Sequence, residues 1–197
     1  MSRRIHRKVE IFPHERLWRS STALFSRLEL GEEEFHEFRL PTLLSAVLAF
    51  EAFVNFCGLS VRPDLWSDER TRLKGATLED KLCRILERVP SFSWKKGEAP
   101  YQNVARQLNF RDLVVHGKVQ QRTYETDAPD ASWPEIDWSH EWDPYLEVAA
   151  IKRAREDIRE FAESILVALR RTSNYPHVIS PAFAGPLASA EGHEIGG

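Results

Sequence analysis

Apolar residues recur at helical spacing in five stretches of the chain, and those stretches predict its elements. From Pro13 to Leu30 the positions Leu17, Ala23, Leu24 and Leu28 form one face of a helix, with Pro13 suited to the first turn and Gly31 ending it. A short acidic stretch, Glu32 to Phe38, follows. Pro41 then opens the most apolar segment, PTLLSAVLAFEAFVNFCG, which is hydrophobic almost all round and predicts a central, buried helix with Gly58 as its C-cap. Glu51 and Asn55 lie four apart on that helix, and polar groups on a buried helix need partners. Arg62 to Lys74 reads as an irregular charged connection.

Thr77 to Val89 reads as a further helix. Thr77 and Asp80 approximate a capping box there, and Leu78, Leu82, Ile85 and Val89 face inward. After the loop PSFSWKKGEAP comes a helix from Tyr101 to His116, ended by Gly117. Its apolar stripe is Tyr101, Val104, Ala105, Leu108 and Val115. In its last two turns Phe110, Leu113 and Val114 make the opposite face apolar too, so this half should be buried by its own bundle or by a partner chain. Val119 to Tyr124 suits a short strand. Val148 to Arg171 is a long amphipathic helix with Ile151, Ile158, Phe161, Ile165, Leu166 and Leu169 inward. The fold class is therefore all-α, a helical bundle with room for a small β element between the last two helices. Its parts are a basic extension (1–12), the bundle (13–171) with an acidic, Trp-rich insertion (124–147), and a tail (172–197) whose Pro, Gly, Ala and Ser content predicts flexibility.

Composition narrows the classes. Hydrophobic residues at 42% and charged residues at 29% are globular values, which excludes a disordered chain. A net charge of −3 excludes a surface coated throughout by nucleic acid, so any RNA contact must be local. The segment from Tyr124 to Glu147 holds eight acidic residues and no lysine or arginine, which leaves the remainder net basic. It reads as a solvated loop that docks tryptophans on the bundle. The cluster Lys152, Arg153, Arg155 and Arg159 alternates with acids and reads as an ion-paired helix face. Cys57 and Cys83 sit in apolar helical patterns and read as buried free thiols. The richest apolar run, Leu43 to Cys57, is interrupted by Ser45, Glu51 and Asn55, and the basic N-terminus has no apolar signal core behind it. No membrane association is expected, and the cytoplasm is the expected location. Glu33 with His36 and Asp137 with His140 have metal-ligand spacing but too few carboxylates for a di-iron bundle, so neither a metal nor another cofactor is expected.

The chemistry concentrates at the end of the helix from Tyr101. Arg111, Asp112 and His116 are strongly polar in an apolar half-helix, and buried charge is costly unless paired or used. Asp112 and His116 are four apart, so the carboxylate can orient the imidazole. Arg111 and His116 are roughly 140° apart on a straight helix, so they converge only if its end distorts or two copies face each other. Spacing alone also fits an ion pair with a C-terminal capping histidine.

The segment RDLVVHG resembles the R-x4-6-H signature of HEPN domains, and the apolar helix two helices upstream is similar to the long early helix of that fold. The likeness extends over about residues 13–171 in helix order, with only the short motif specific. It implies a face-to-face homodimer with two motifs in one groove and, in catalytic members, metal-free RNA cleavage. Arg111 would then stabilise phosphorane charge, His116 would transfer the proton, and Asp112 would orient His116. Two features depart from relatives. Lys118 stands where nucleotidylated members carry tyrosine, and Asn55 stands where some carry a basic residue four after the glutamate. Two readings therefore follow: a ribonuclease, acting as a toxin held by an antitoxin protein or in defence, and a non-catalytic HEPN module for RNA binding or assembly.

Overall fold

The computed structural model describes residues 5–30, 36–89, 92, 94–117, 140–171, 182–184 and 188–194. It is an all-α helical bundle. Helix α1 (Pro13–Leu28) packs along α2 (His36–Val61), and two single turns, α3 (Pro63–Trp66) and α4 (Glu69–Arg72), lead into α5 (Leu78–Leu86). Helix α6 (Tyr101–Val115), a 3-10 turn (Asp143–Tyr145) and α7 (Val148–Arg171) complete the bundle. The strand expected at Val119 to Tyr124, and most of the acidic insertion, lie outside the described residues. The β element among the described residues is elsewhere. Strand β1 (Ile5–Ile11) pairs antiparallel with β2 (Ala188–Glu194), Ile5 opposite Glu194 and Ile11 opposite Ala188.

Helix α2 is the axis of the core, in contact with α1, α3, α5, α6 and α7. Leu43, Phe50 and Val54 are fully buried, and the inward positions expected of α7 are all buried. Among the described residues α2 alone is long and apolar enough, by length and composition, to cross a membrane, which corrects the shorter interrupted run read from sequence. It starts at His36, not Pro41. The missing Pro41 donor removes one ladder bond, yet Thr42 Oγ1 donates to the Phe38 carbonyl at 2.5 Å and Ser21 of α1 donates to the Thr42 carbonyl at 2.7 Å. The irregular connection expected after α2 contains the two helical turns α3 and α4. At α5 the capping box is complete, with Thr77 Oγ1 accepting from Asp80 N–H and Asp80 accepting from Thr77 N–H.

Gly58 is not a cap. It sits inside α2, and a Cβ there would overlap the indole of Trp66, which is 6% exposed and donates from Nε1 to Asn55 Oδ1 at 3.3 Å. Alanine gains about 1 kcal/mol of helix propensity, but overpacking costs about 1–3 kcal/mol. Gly58→Ala should therefore lower the thermal midpoint, by several degrees at the upper end of that range. A raised midpoint in a thermal melt would show that Trp66 yields at no cost.

In the C-terminal segment the described residues 182–184 meet the bundle. Ala182 N–H donates to Glu163 Oε2 at 2.7 Å, and buried Phe183 stacks on Trp18 at 4.3 Å between ring centres. On the basic face of α7 Arg153 is ion-paired with Asp157, as expected, while Arg155 packs on α1. Arg155 lies 4.7 Å from the Trp18 ring centre and bonds Ser21 and Thr22, tying α7 to α1. Cys57 is a buried free thiol as expected, whereas Cys83 is exposed because α5 turns it away from Leu82 and Ile85.

His14 was not singled out by pattern, yet it is 5% exposed in an aromatic nest of Phe53, Phe56 and Phe183. Its Nε2 is 3.8 Å from Glu15 Oε1, while Nδ1 has no hydrogen-bond partner. Burial pushes its pKa down to about 4. The unfolded chain takes up this proton near pH 6.5 and the folded chain only near 4, so stability falls with pH across that window. Between pH 7 and 4.5 the loss attributable to His14 should be about 2–3 kcal/mol. Urea titrations of wild type and His14→Phe at both pH values should differ by that amount in their pH dependence; parallel curves would contradict it.

Candidate functional site

The site begins with the polar residues of the buried helix. Glu51 forms an ion pair with Arg111 of α6, so a charge on the core helix is met by a charge from the neighbouring one. One turn on, Asn55 Oδ1 accepts from Lys81 Nζ of α5 at 3.0 Å and from Trp66 of α3. Lys81 also pairs with Glu69 of α4. Two polar positions on α2 thereby bond three other elements, and Lys81 links α4 to them. Burial raises the Glu51 pKa most, Asp112 adds to that rise, and Arg111 and Lys81 oppose it.

Arg111 is half-buried, and its guanidinium is shared. One amino group meets Glu51, and the other lies 3.3 Å from Asp112 Oδ1. Its buried Nε has no hydrogen-bond partner. Helix α6 ends at Val115, and His116 leaves helical geometry at φ −104°, ψ 15°. Its backbone N–H donates to the Asp112 carbonyl at 2.9 Å, and its side chain is exposed. At Gly117 the approach is close: a Cβ would lie 3.2 Å from the Leu113 carbonyl and 3.4 Å from Trp142. Trp142 in turn stacks on His140 at 3.7 Å, so the end of the acidic insertion rests on the end of α6.

The fold brings Arg111, Asp112 and Glu51 together, and it joins Asn55 to Lys81. Among the described residues it does not join Asp112 to His116. The Asp112 carboxylate lies against Arg111 instead, although the His116 N–H still bonds the Asp112 carbonyl. Nor do Arg111 and His116 meet within one chain. Of the stripe read from sequence, Tyr101 and Val104 are buried, Ala105 and Leu108 half-buried and Val115 exposed, and Gln107 and Phe110 complete the buried face of α6. Val115 is 59% exposed, and Leu113 and Val114 are half-buried.

Lys81 and Glu69 are the site neighbours that sequence reasoning missed. They lie far from Asn55 in the chain, and nothing in their spacing signals the meeting. For metals, no group of three or more His, Cys, Asp or Glu side chains is assembled among the described residues; Glu33 and Asp137 lie outside them. Chemically the arrangement offers a guanidinium fork anchored from below and a solvent-accessible imidazole at the same helix end. An incoming phosphate has to compete with Asp112 and Glu51 for the fork. No family model, curated protein or solved structure matches this chain.

Proposed function

We propose that the chain is a metal-independent endoribonuclease of HEPN type, working in the cytoplasm as a homodimer whose two α6 ends share one groove. The observation that carries this reading is a half-buried, carboxylate-anchored Arg111 on the same helix end as an exposed His116, flanked by exposed Val115. An RNA 2′-oxygen would bond to the adjacent phosphorus while the bond to the 5′-oxygen breaks. His116 would carry the proton from attacking to leaving oxygen, and Arg111 would hold the added negative charge. Glu51 would fix the guanidinium plane, and Asn55 with Lys81 would steady α2 beneath it. The role of Asp112 changes from orienting His116 to shielding Arg111 until phosphate displaces it. A protein that covered His116 and Val115 would act as an antitoxin.

Purified protein incubated with RNA in EDTA should give fragments with cyclic phosphate and 5′-hydroxyl ends. Activity that needs added Mg²⁺ or Mn²⁺ and vanishes in EDTA would refute the chemistry. Light scattering at about 10–50 µM, where weak dimers form, should show a dimer; monomer alone would remove the shared groove. One observation favours the second reading, a non-catalytic RNA-binding or assembly module: both terminal amino groups of Arg111 already face carboxylates. RNA retained without cleavage would support that module.

A further inference from the structure

Strands β1 and β2 bring together segments far apart in the sequence, and the cleavage chemistry makes no use of them. They pair antiparallel from Ile5 opposite Glu194 to Ile11 opposite Ala188. Within this ribbon His6 stands directly opposite His193. Register partners share a face of an antiparallel pair, and so do alternate positions along each strand. One face therefore carries His6 with His193, Lys8 with Glu191, and Glu10 with Ser189.

Residues directly opposite in such a pair have Cβ atoms about 4.5–5.5 Å apart. An imidazole nitrogen binds zinc at about 2.0–2.1 Å, so two nitrogens on one ion lie about 3–3.5 Å apart. Two histidines rooted at that Cβ spacing can meet this requirement from ordinary extended backbone. The ladder sets the spacing before any ion arrives, so little ordering is left for binding to impose. Imidazole selects zinc, nickel and copper over magnesium and calcium, which prefer oxygen ligands. Without an ion, two protonated imidazoles directly opposite each other would repel. A shared ion turns the same pairing into a cross-link, and clips that close long stretches of chain have the largest effect.

We propose that His6 and His193 form a clamp for one divalent transition-metal ion of the zinc, nickel and copper class, with water completing its coordination and the ion fastening β1 to β2. The clamp belongs to the ribbon, shares no residue with Arg111 and His116, and does not depend on the ribonuclease reading.

Calorimetric titration of the metal-stripped intact chain with Zn²⁺, Ni²⁺, Cu²⁺ and Mg²⁺ tests this. The first three should bind saturably with Kd below about 100 µM, Cu²⁺ most tightly, and Mg²⁺ should not bind. His6→Ala and His193→Ala should each weaken binding by about tenfold or more. The double variant should lose little beyond either single one, because one imidazole is no clamp. His36→Ala and His177→Ala should keep wild-type affinity. A variant that merely frayed the ribbon would also lose binding, so the pair is then moved. In the His6→Ala/His193→Ala background, Lys8→His with Glu191→His places two histidines opposite each other one step along the same face. That protein should recover binding to within about threefold of wild type. Absence of saturable binding by all three ions, wild-type affinity in either single variant, or no recovery with the relocated pair overturns the proposal.

Discussion

His116→Ala and Arg111→Ala should each lower RNA cleavage by about a hundredfold or more, as loss of a general acid–base group or of a charge stabiliser does. The two variants should differ in stability. His116 is an exposed residue at the helix end, and its contribution to the fold is a backbone bond that alanine also makes. His116→Ala should therefore unfold within about 0.5 kcal/mol of wild type. Arg111 is different because its removal leaves Glu51 half-buried beside Asp112, with Lys81 as its remaining compensating cation. Loss of the partner should cost about 1–3 kcal/mol, and the Glu51 carboxyl should titrate still higher.

Arg111→Lys separates the two effects. It keeps a charge for Glu51 but loses the planar fork, so stability should largely return while cleavage stays low. Urea unfolding beside a gel-based cleavage assay reads both. Cleavage by His116→Ala at near the wild-type rate would move the proton transfer to another residue. Full activity in Arg111→Lys would make Arg111 a structural counter-ion of Glu51 and nothing more.

The helices were legible because their signals are local. The inward positions of α7 follow from one repeat of spacing, and the capping box at Thr77 and Asp80 is complete within four residues. The ends of α2 were not legible. Pro41 and Gly58 are both boundary signals by propensity, but tertiary contacts outweigh them: Ser21 and Thr42 support the helix around the proline, and Trp66 needs the space of the glycine. The site divides in the same way. Arg111, His116, Glu51 and Asn55 stood out because polar residues in apolar helices are conspicuous. Which carboxylates Arg111 takes depends on how α6 meets α2, and that is set by packing and not by spacing. Lys81 reaches Asn55 only through the packing of α5, so no reading of spacing could supply it.

Mixing the two inactive variants should restore part of the cleavage. If one chain held a complete site, a heterodimer of Arg111→Ala with His116→Ala would be inactive, since each chain lacks one group. In a shared groove that heterodimer still offers Arg111 from one chain and His116 from the other. The single-chain geometry favours sharing. Arg111 is turned toward α2 by Glu51, His116 lies at the exposed end of the helix, and no hydrogen bond joins their side chains. Exposed Val115 and half-buried Leu113 and Val114 give the same helix end an apolar surface on which a second copy can seat. Recovery should stay below wild type, because half the basic groups of the groove are gone and mutant homodimers persist. Differential tags on the two variants verify subunit exchange before activity is read. No recovery in a verified heterodimer would reject the composite site. Wild type paired with the double variant then identifies the alternative: that heterodimer contains one intact chain, and its activity would assign the whole reaction to a single α6 end.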